Sequence, residues 1–165
     1  MYKGGFASER RAYQTFRSSN CTAVPAFFGS TSSLIVSYPN NTHIPQHDRL
    51  FGKQNAIMIE FLDAEMIMFD NLSRSVAMNT LYALEQIHKL SICHGDISDY
   101  GCDLFRNVML LRNGEVKWID FEHSWVDSGE EIRLEMAVAL EMWGPKGCIW
   151  NNGYAEIRFC FNYKT

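Results

Sequence analysis

His94-Gly95-Asp96, then Asn107, then Asp120-Phe121-Glu122 are the stretches of this chain whose residue types best suit chemistry. Between Asn107 and Asp120 the pattern is strand, turn, strand. Asn113-Gly114 is a strong hairpin signal because both residues tolerate positive φ. Val108-Met109-Leu110-Leu111 precedes it and Val116-Lys117-Trp118-Ile119 follows. A two-residue loop at Asn113-Gly114 would set Arg112 opposite Glu115. Stepping outward, it would then set Asn107 opposite Asp120. Directly opposed residues have Cβ atoms roughly 4.5–5.5 Å apart, so an amide oxygen and a carboxylate would both reach one Mg²⁺, a hard ion that prefers oxygen ligands. Asp96 lies just upstream, placed to act as a base or to orient a nucleophile.

The order His-x-Asp, Asn, hairpin, Asp-Phe resembles the catalytic and metal-binding loops of protein kinases and related small-molecule phosphotransferases. The HGD form, with IDFE in place of a DFG ending, is closer in flavour to the aminoglycoside and choline kinase branch, or to a divergent fungal kinase-like group. The resemblance spans about residues 6 to 143. It implies an α+β, partial protein kinase-like fold. About residues 1–62 would be a remnant of the N-terminal lobe and hinge, and about 63–165 part of the helical C-terminal lobe. It also implies Mg²⁺ and ATP as cofactors, with a hydroxyl-bearing protein or small molecule as acceptor. Asp96 matches the catalytic-loop aspartate, Asn107 and Asp120 the two metal ligands, and His94 the mainly structural loop histidine. Glu9 matches the helix glutamate that pairs with the ATP-holding lysine. Glu60-Phe61-Leu62 matches the hinge, where backbone groups of Glu60 and Leu62 would meet adenine.

The chain departs from the family's pattern in three ways. Four residues usually separate the aspartate from the asparagine; here ten do, Ile97 to Arg106. An insertion of that kind is cheap in a surface loop, because closure entropy grows only logarithmically with length. It makes Asp99 and Asp103 rival candidates for the base. There is no G-x-G-x-x-G loop, and Lys3 is the only lysine before Glu9, too close for a strand to end and a helix to begin between them. Much of the usual helical lobe is also missing, so the chain is either a fragment or a reduced relative. The Gly at position 95 stands where an arginine would read a phosphorylated activation loop, and no such switch is expected.

The segments that must position these residues follow the same order. Ser8 to Phe16 is a helix candidate with Phe6, Ala12, Tyr13 and Phe16 as its apolar stripe. Val24 to Gly29 reads as a short strand broken by Pro25, and Ser33 to Tyr38 as a second. Ala56 to Phe61 is a buried-strand candidate. A helix from about Asn71 to Lys89 places Ala77, Leu81, Leu84 and His88 on one face, and His88 reads as a packed residue. Glu130 to Trp143 is helical, stopped by Gly144-Pro145.

Composition bounds the alternatives. At 165 residues, with 47% hydrophobic and 13% aromatic residues, one folded domain is expected. The net charge of -4, with no basic run, gives no support for a nucleic-acid partner. No apolar run approaches a membrane span. Five unevenly spaced cysteines, without a CxxC pair or a secretory signal, read as reduced thiols in a cytoplasmic protein. A metal-dependent hydrolase is a further class, but the five histidines show no paired ligand spacing on a helix. A pseudokinase-like module that binds nucleotide or a partner without catalysis is the remaining alternative.

Overall fold

The computed structural model describes residues 5–35, 53–68, 70–97, 106–127 and 129–144. Lys3, Asp99 and Asp103 lie outside them, as do Cys102, Cys148 and Cys160. The chain is mixed α and β, in the order α1 (Phe6–Ser18), β1 (Phe27–Ile35), β2 (Lys53–Ile59), β3 (Ala64–Met66), α2 (Arg74–His88), β4 (Ile92–Cys93), β5 (Val108–Leu111), β6 (Val116–Trp118), β7 (Trp125–Val126) and α3 (Glu130–Trp143). All strand pairs are antiparallel, forming a β1-β2 ribbon, a β3-β5-β6 sheet and a β4-β7 pair. Among the described residues no helix is long and apolar enough to cross a membrane.

Each helix buries the stripe its sequence spells. In α1 the buried residues are Ala12, Tyr13 and Phe16, spaced so that they share one face. α2 follows an N-cap, Ser73, whose hydroxyl accepts from the Val76 N–H, so it starts at Arg74, three residues later than expected from periodicity. It buries Ala77, Leu81, Leu84 and His88 together. α3 spans the expected residues and ends at Gly144, where a Cβ would overlap the Leu140 carbonyl. The two strands expected at Val24–Gly29 and Ser33–Tyr38 are one strand, β1, within the described residues. Pro25 cannot donate to a ladder, so pairing begins only beyond it, at Phe27 opposite Ile59. Cys21 and Cys93 are both free thiols.

The core is a column of rings. Phe27 stacks on Tyr13 at 5.9 Å, and Tyr13 and Phe16 meet the Phe121 ring edge-on at 5.5 Å and 4.8 Å. Phe121 in turn lies 4.6 Å from the His94 ring, which contacts Trp118 at 5.0 Å; Trp118 meets Trp143 at 5.6 Å. One aromatic path thus joins β1, α1, the segments after β4 and β6, and α3. Each such pair adds about 0.5–1.5 kcal/mol beyond the area it buries.

The β5–β6 hairpin corrects the expected register. Val108 pairs with Trp118, Met109 with Lys117 and Leu110 with Val116, so the loop has three residues, Arg112-Asn113-Gly114, and not two. The Gly114 N–H donates to the Leu111 carbonyl at 2.9 Å, closing a turn. The Leu111 N–H donates to Glu115 at 2.8 Å, and Gly114 sits at φ 84°. This is the three-residue arrangement in which the last loop residue is left-handed. Asn113 stabilises it by accepting from the Glu115 N–H at 3.0 Å. Asn107 therefore faces Ile119, whose N–H donates to its carbonyl at 2.9 Å, and not Asp120.

Gly114 and Gly95 are both left-handed, but a Cβ at Gly114 would meet open space while one at Gly95 would overlap the His123 carbonyl oxygen and the Trp125 ring. Gly114→Ala should then cost about 1–2 kcal/mol, from backbone strain alone. Gly95→Ala should cost about 3 kcal/mol, strain and overpacking together. Urea unfolding of the two variants checks the order, which would be reversed or absent if Gly95 were loosely packed.

Candidate functional site

β4 delivers the chain to His94, whose fully buried ring fixes the loop that follows. Its Nε2–H donates to the Ile119 carbonyl at 3.0 Å, and its Nδ1 faces the Asp96 N–H at 3.3 Å. Burial pushes the imidazole below its ordinary value, against the pull of Glu135, Asp96 and Asp120, so it stays neutral with the proton on Nε2. A neutral donor–acceptor ring can tie the loop before the hairpin to the strand end after it, where a charged one would have to donate from both nitrogens.

Asp96 and Asn107 come together directly. The Asn107 Nδ2 donates to both the Asp96 carbonyl and its Oδ2, each at 3.0 Å. With both amide protons engaged at Asp96, the Asn107 Oδ1 is left as the outward acceptor, a hard oxygen of the kind Mg²⁺ takes. The Arg106 Nε lies 4.0 Å from the same carboxylate oxygen. The register slip would by itself turn Asp120 to the other face of the ribbon. Asn107 and Asp120 are both left-handed, at φ 67° and 61°. Asn and Asp tolerate this region better than other residues with a Cβ. Asp120, like Asp96, lies within electrostatic reach of the His94 ring. The expected opposition of Asn107 and Asp120 is thus not formed, and the two residues sit instead as kinks at the two strand ends.

Glu9 reaches the same place from α1. Burial raises its carboxyl above the ordinary value. The Asp120 charge adds to the rise, a hydrogen bond from the Phe121 backbone opposes it, and Glu122 adds a little more. Its observed surroundings are therefore a second carboxylate and a backbone N–H. The hinge candidates sit apart. The Glu60 N–H donates to the Ala26 carbonyl at 2.8 Å. Its Oε2 accepts from the Ala26 N–H at 3.1 Å and from the Lys117 Nζ at 2.9 Å. Lys117 holds the Glu60 carboxyl below the ordinary value. Of the backbone groups expected to meet adenine, the Glu60 N–H is already engaged, which leaves its carbonyl and Leu62 for that role. Among the described residues no three His, Cys, Asp or Glu side chains converge on one point. A divalent ion would therefore draw on one or two carboxylates, an amide oxygen and non-protein oxygens, as Mg²⁺ commonly does.

Glu135 is the functional residue that sequence reasoning missed. From α3 its Oε2 accepts from the His94 N–H at 2.9 Å and from the His88 Nε2 at 2.7 Å, and its Oε1 accepts from the Gly95 N–H at 2.7 Å. Burial pushes its carboxyl up, but the hydrogen bonds from His88, Gly95 and His94 together hold it below the ordinary range. The signal was present: Glu135 shares the buried face of α3 with Ala139 and Met142. A charge on an apolar stripe needs a partner. Ser124, just after the Asp120 segment, is buried and donates to the Phe121 carbonyl at 2.7 Å, so it offers no open hydroxyl.

No known family model matches this chain, and a search of curated proteins returned no match.

Glu135→Gln should lower stability by about 2–4 kcal/mol, because the remaining amide cannot accept at both oxygens. The wild-type carboxyl is depressed in the folded state, so its contribution is fully present above the unfolded value near 4.5 and is lost as pH falls through the folded value. The gap between wild type and Glu135→Gln should accordingly be constant from pH 5 to 7 and narrow below pH 4.5. Unfolding curves across that range check it; a gap that widens in acid would contradict the assignment.

Proposed function

We propose that this chain is a kinase-like phosphotransferase with a partial kinase-like fold, moving a phosphoryl group from Mg-ATP to a hydroxyl acceptor. The observation that carries the reading is the Asn107 amide, which binds both the backbone and the carboxylate of Asp96, while the charges of Asp96 and of the left-handed Asp120 both act on the His94 ring. The element order supports it as well: helix, strands, linking segment, helix, loop, hairpin, helix.

In this reading Asp96 accepts a hydrogen bond from the acceptor hydroxyl, orients its oxygen toward the γ-phosphorus and takes its proton as the bond forms. Asn107 Oδ1 and the Asp120 carboxylate hold Mg²⁺. The ion, when bound, supplies positive charge to the β- and γ-phosphate oxygens. Catalysis of this type is mostly positioning and electrostatic stabilisation, and the Glu135 clamp keeps the His94–Asp96 backbone in place for it. The Glu60 carbonyl and the Leu62 backbone would meet adenine. The acceptor's class, protein or small molecule, is set by neither the motif nor its supports.

A non-catalytic, nucleotide-binding role is the second reading. It is favoured by Glu9, whose described neighbours are Asp120, Glu122 and the Phe121 backbone. A kinase-like site would seat a lysine there, and its lack would weaken the hold on the α- and β-phosphates.

Purified protein should hydrolyse or transfer from ATP slowly and only with Mg²⁺. Asp96→Ala should reduce the rate roughly 10²–10⁴-fold, the usual range for a positioned base, and Asp120→Ala should abolish it. Thermal stabilisation by Mg-ATP with no turnover in any acceptor mixture would select the binding role. No stabilisation at millimolar Mg-ATP would overturn both readings.

A further inference from the structure

We propose that Glu9 is itself a ligand for the divalent cation, shared with Asp120, and that the Tyr13 hydroxyl holds a water on that ion. The inference takes Asp120 as a metal ligand, as in the proposed function, and moves Glu9 from a lysine's partner to a direct contact with the ion.

Glu9 and Tyr13 are one turn apart on α1 and share a face. Side chains on a helix lean toward its N-terminus, so the Tyr13 ring extends toward Glu9. Its edge-to-face contact with Phe121, at 5.5 Å, brings it beside the residue that follows Asp120. The Asp120 charge and the Phe121 backbone both act on the Glu9 carboxyl, which points to the same segment. Helix spacing and the Tyr13–Phe121 contact therefore direct Glu9 and Tyr13 toward the segment that carries Asp120.

The Tyr13 hydroxyl supplies the second observation. Tyr13 is fully buried, yet its oxygen has no hydrogen-bond partner among the described residues. A buried hydroxyl almost always finds one. Here the nearby charges acting on it are the carboxylates of Glu9 and Asp120. Two carboxylates whose charges both act on a buried donor form a site that lacks its positive charge. A hydrated divalent ion satisfies all three groups at once. It binds the two carboxylate oxygens, and one of its waters accepts the Tyr13 proton. Mg²⁺ and Mn²⁺ suit this because they keep several waters when bound.

The test uses the whole chain without nucleotide, and Mn²⁺ as the probe. Free Mn²⁺ is followed by electron paramagnetic resonance, with Mg²⁺ as competitor. Wild type should take up one Mn²⁺ that Mg²⁺ displaces. Glu9→Gln should weaken uptake about 10–100-fold, and Tyr13→Phe, which keeps the ring and loses only the hydroxyl, about 10-fold. Glu122→Gln should bind as wild type does. Unchanged uptake in both Glu9→Gln and Tyr13→Phe, with loss in Asp120→Asn, would overturn this inference and leave the phosphotransferase reading standing. Normal Mn²⁺ behaviour with no response to ATP would do the reverse. A wild-type chain that takes up no Mn²⁺ would sink the inference outright.

Discussion

A single carboxylate holds the candidate site in place. Glu135 accepts hydrogen bonds from two consecutive backbone N–H groups, those of His94 and Gly95, and from His88 on α2. A carboxylate buried this deeply persists only because every lone pair that faces the protein is used. The same bonds determine where the chain goes next. With His94 and Gly95 pinned to α3, the backbone turns through a left-handed Gly95 and presents Asp96 to Asn107. The site thus depends on a contact between residues about forty positions apart, and on a helix that contributes no group to the chemistry itself.

A second constraint acts from the opposite side. The ring column from Phe27 through Tyr13 and Phe121 to His94 links α1 to the segment that carries Asp120. Movement of α1 would have to carry Phe121 with it, and Phe121 is flanked by Asp120 and Glu122. Glu9 and the Asp120 segment are therefore coupled through packing, and the Asp120 charge acts on Glu9 as well. Close-packed rings have few alternative arrangements, so such a column holds position where a set of surface ion pairs would not.

Two of the four left-handed residues with a Cβ among the described residues are proposed site residues. Asn107 and Asp120 both adopt left-handed backbone, at a cost that only surrounding structure can sustain. The three-residue turn at Arg112–Gly114 shifts the ribbon by one position, so that Asn107 faces Ile119. The Lys117–Glu60 bond braces the middle of the same ribbon against the segment after β2, and the Trp118 N–H, bonded to the Ala23 carbonyl, anchors its end.

Local pattern was enough for the helices. The spacing of Tyr13 and Phe16, of Ala77 to His88, and the Gly144 stop are properties of short windows, where side-chain period and capping act without help from distant residues. The nearness of Asp96 and Asn107 was also legible, because the two lie within one short stretch that leads into the hairpin. The hairpin register was not. Asn113-Gly114 is compatible with a two- or three-residue loop, and the choice between them rests on which strand faces meet α2 and the ring column. The role of Glu135 was equally hidden. Its sequence neighbours mark only an acid on an apolar stripe, and its partners are backbone N–H groups, which every residue but proline carries. Sequence determined which residues were able to do chemistry; tertiary packing decided which backbone groups and which carboxylates they would meet, because hydrogen bonds to main chain leave no trace in residue type.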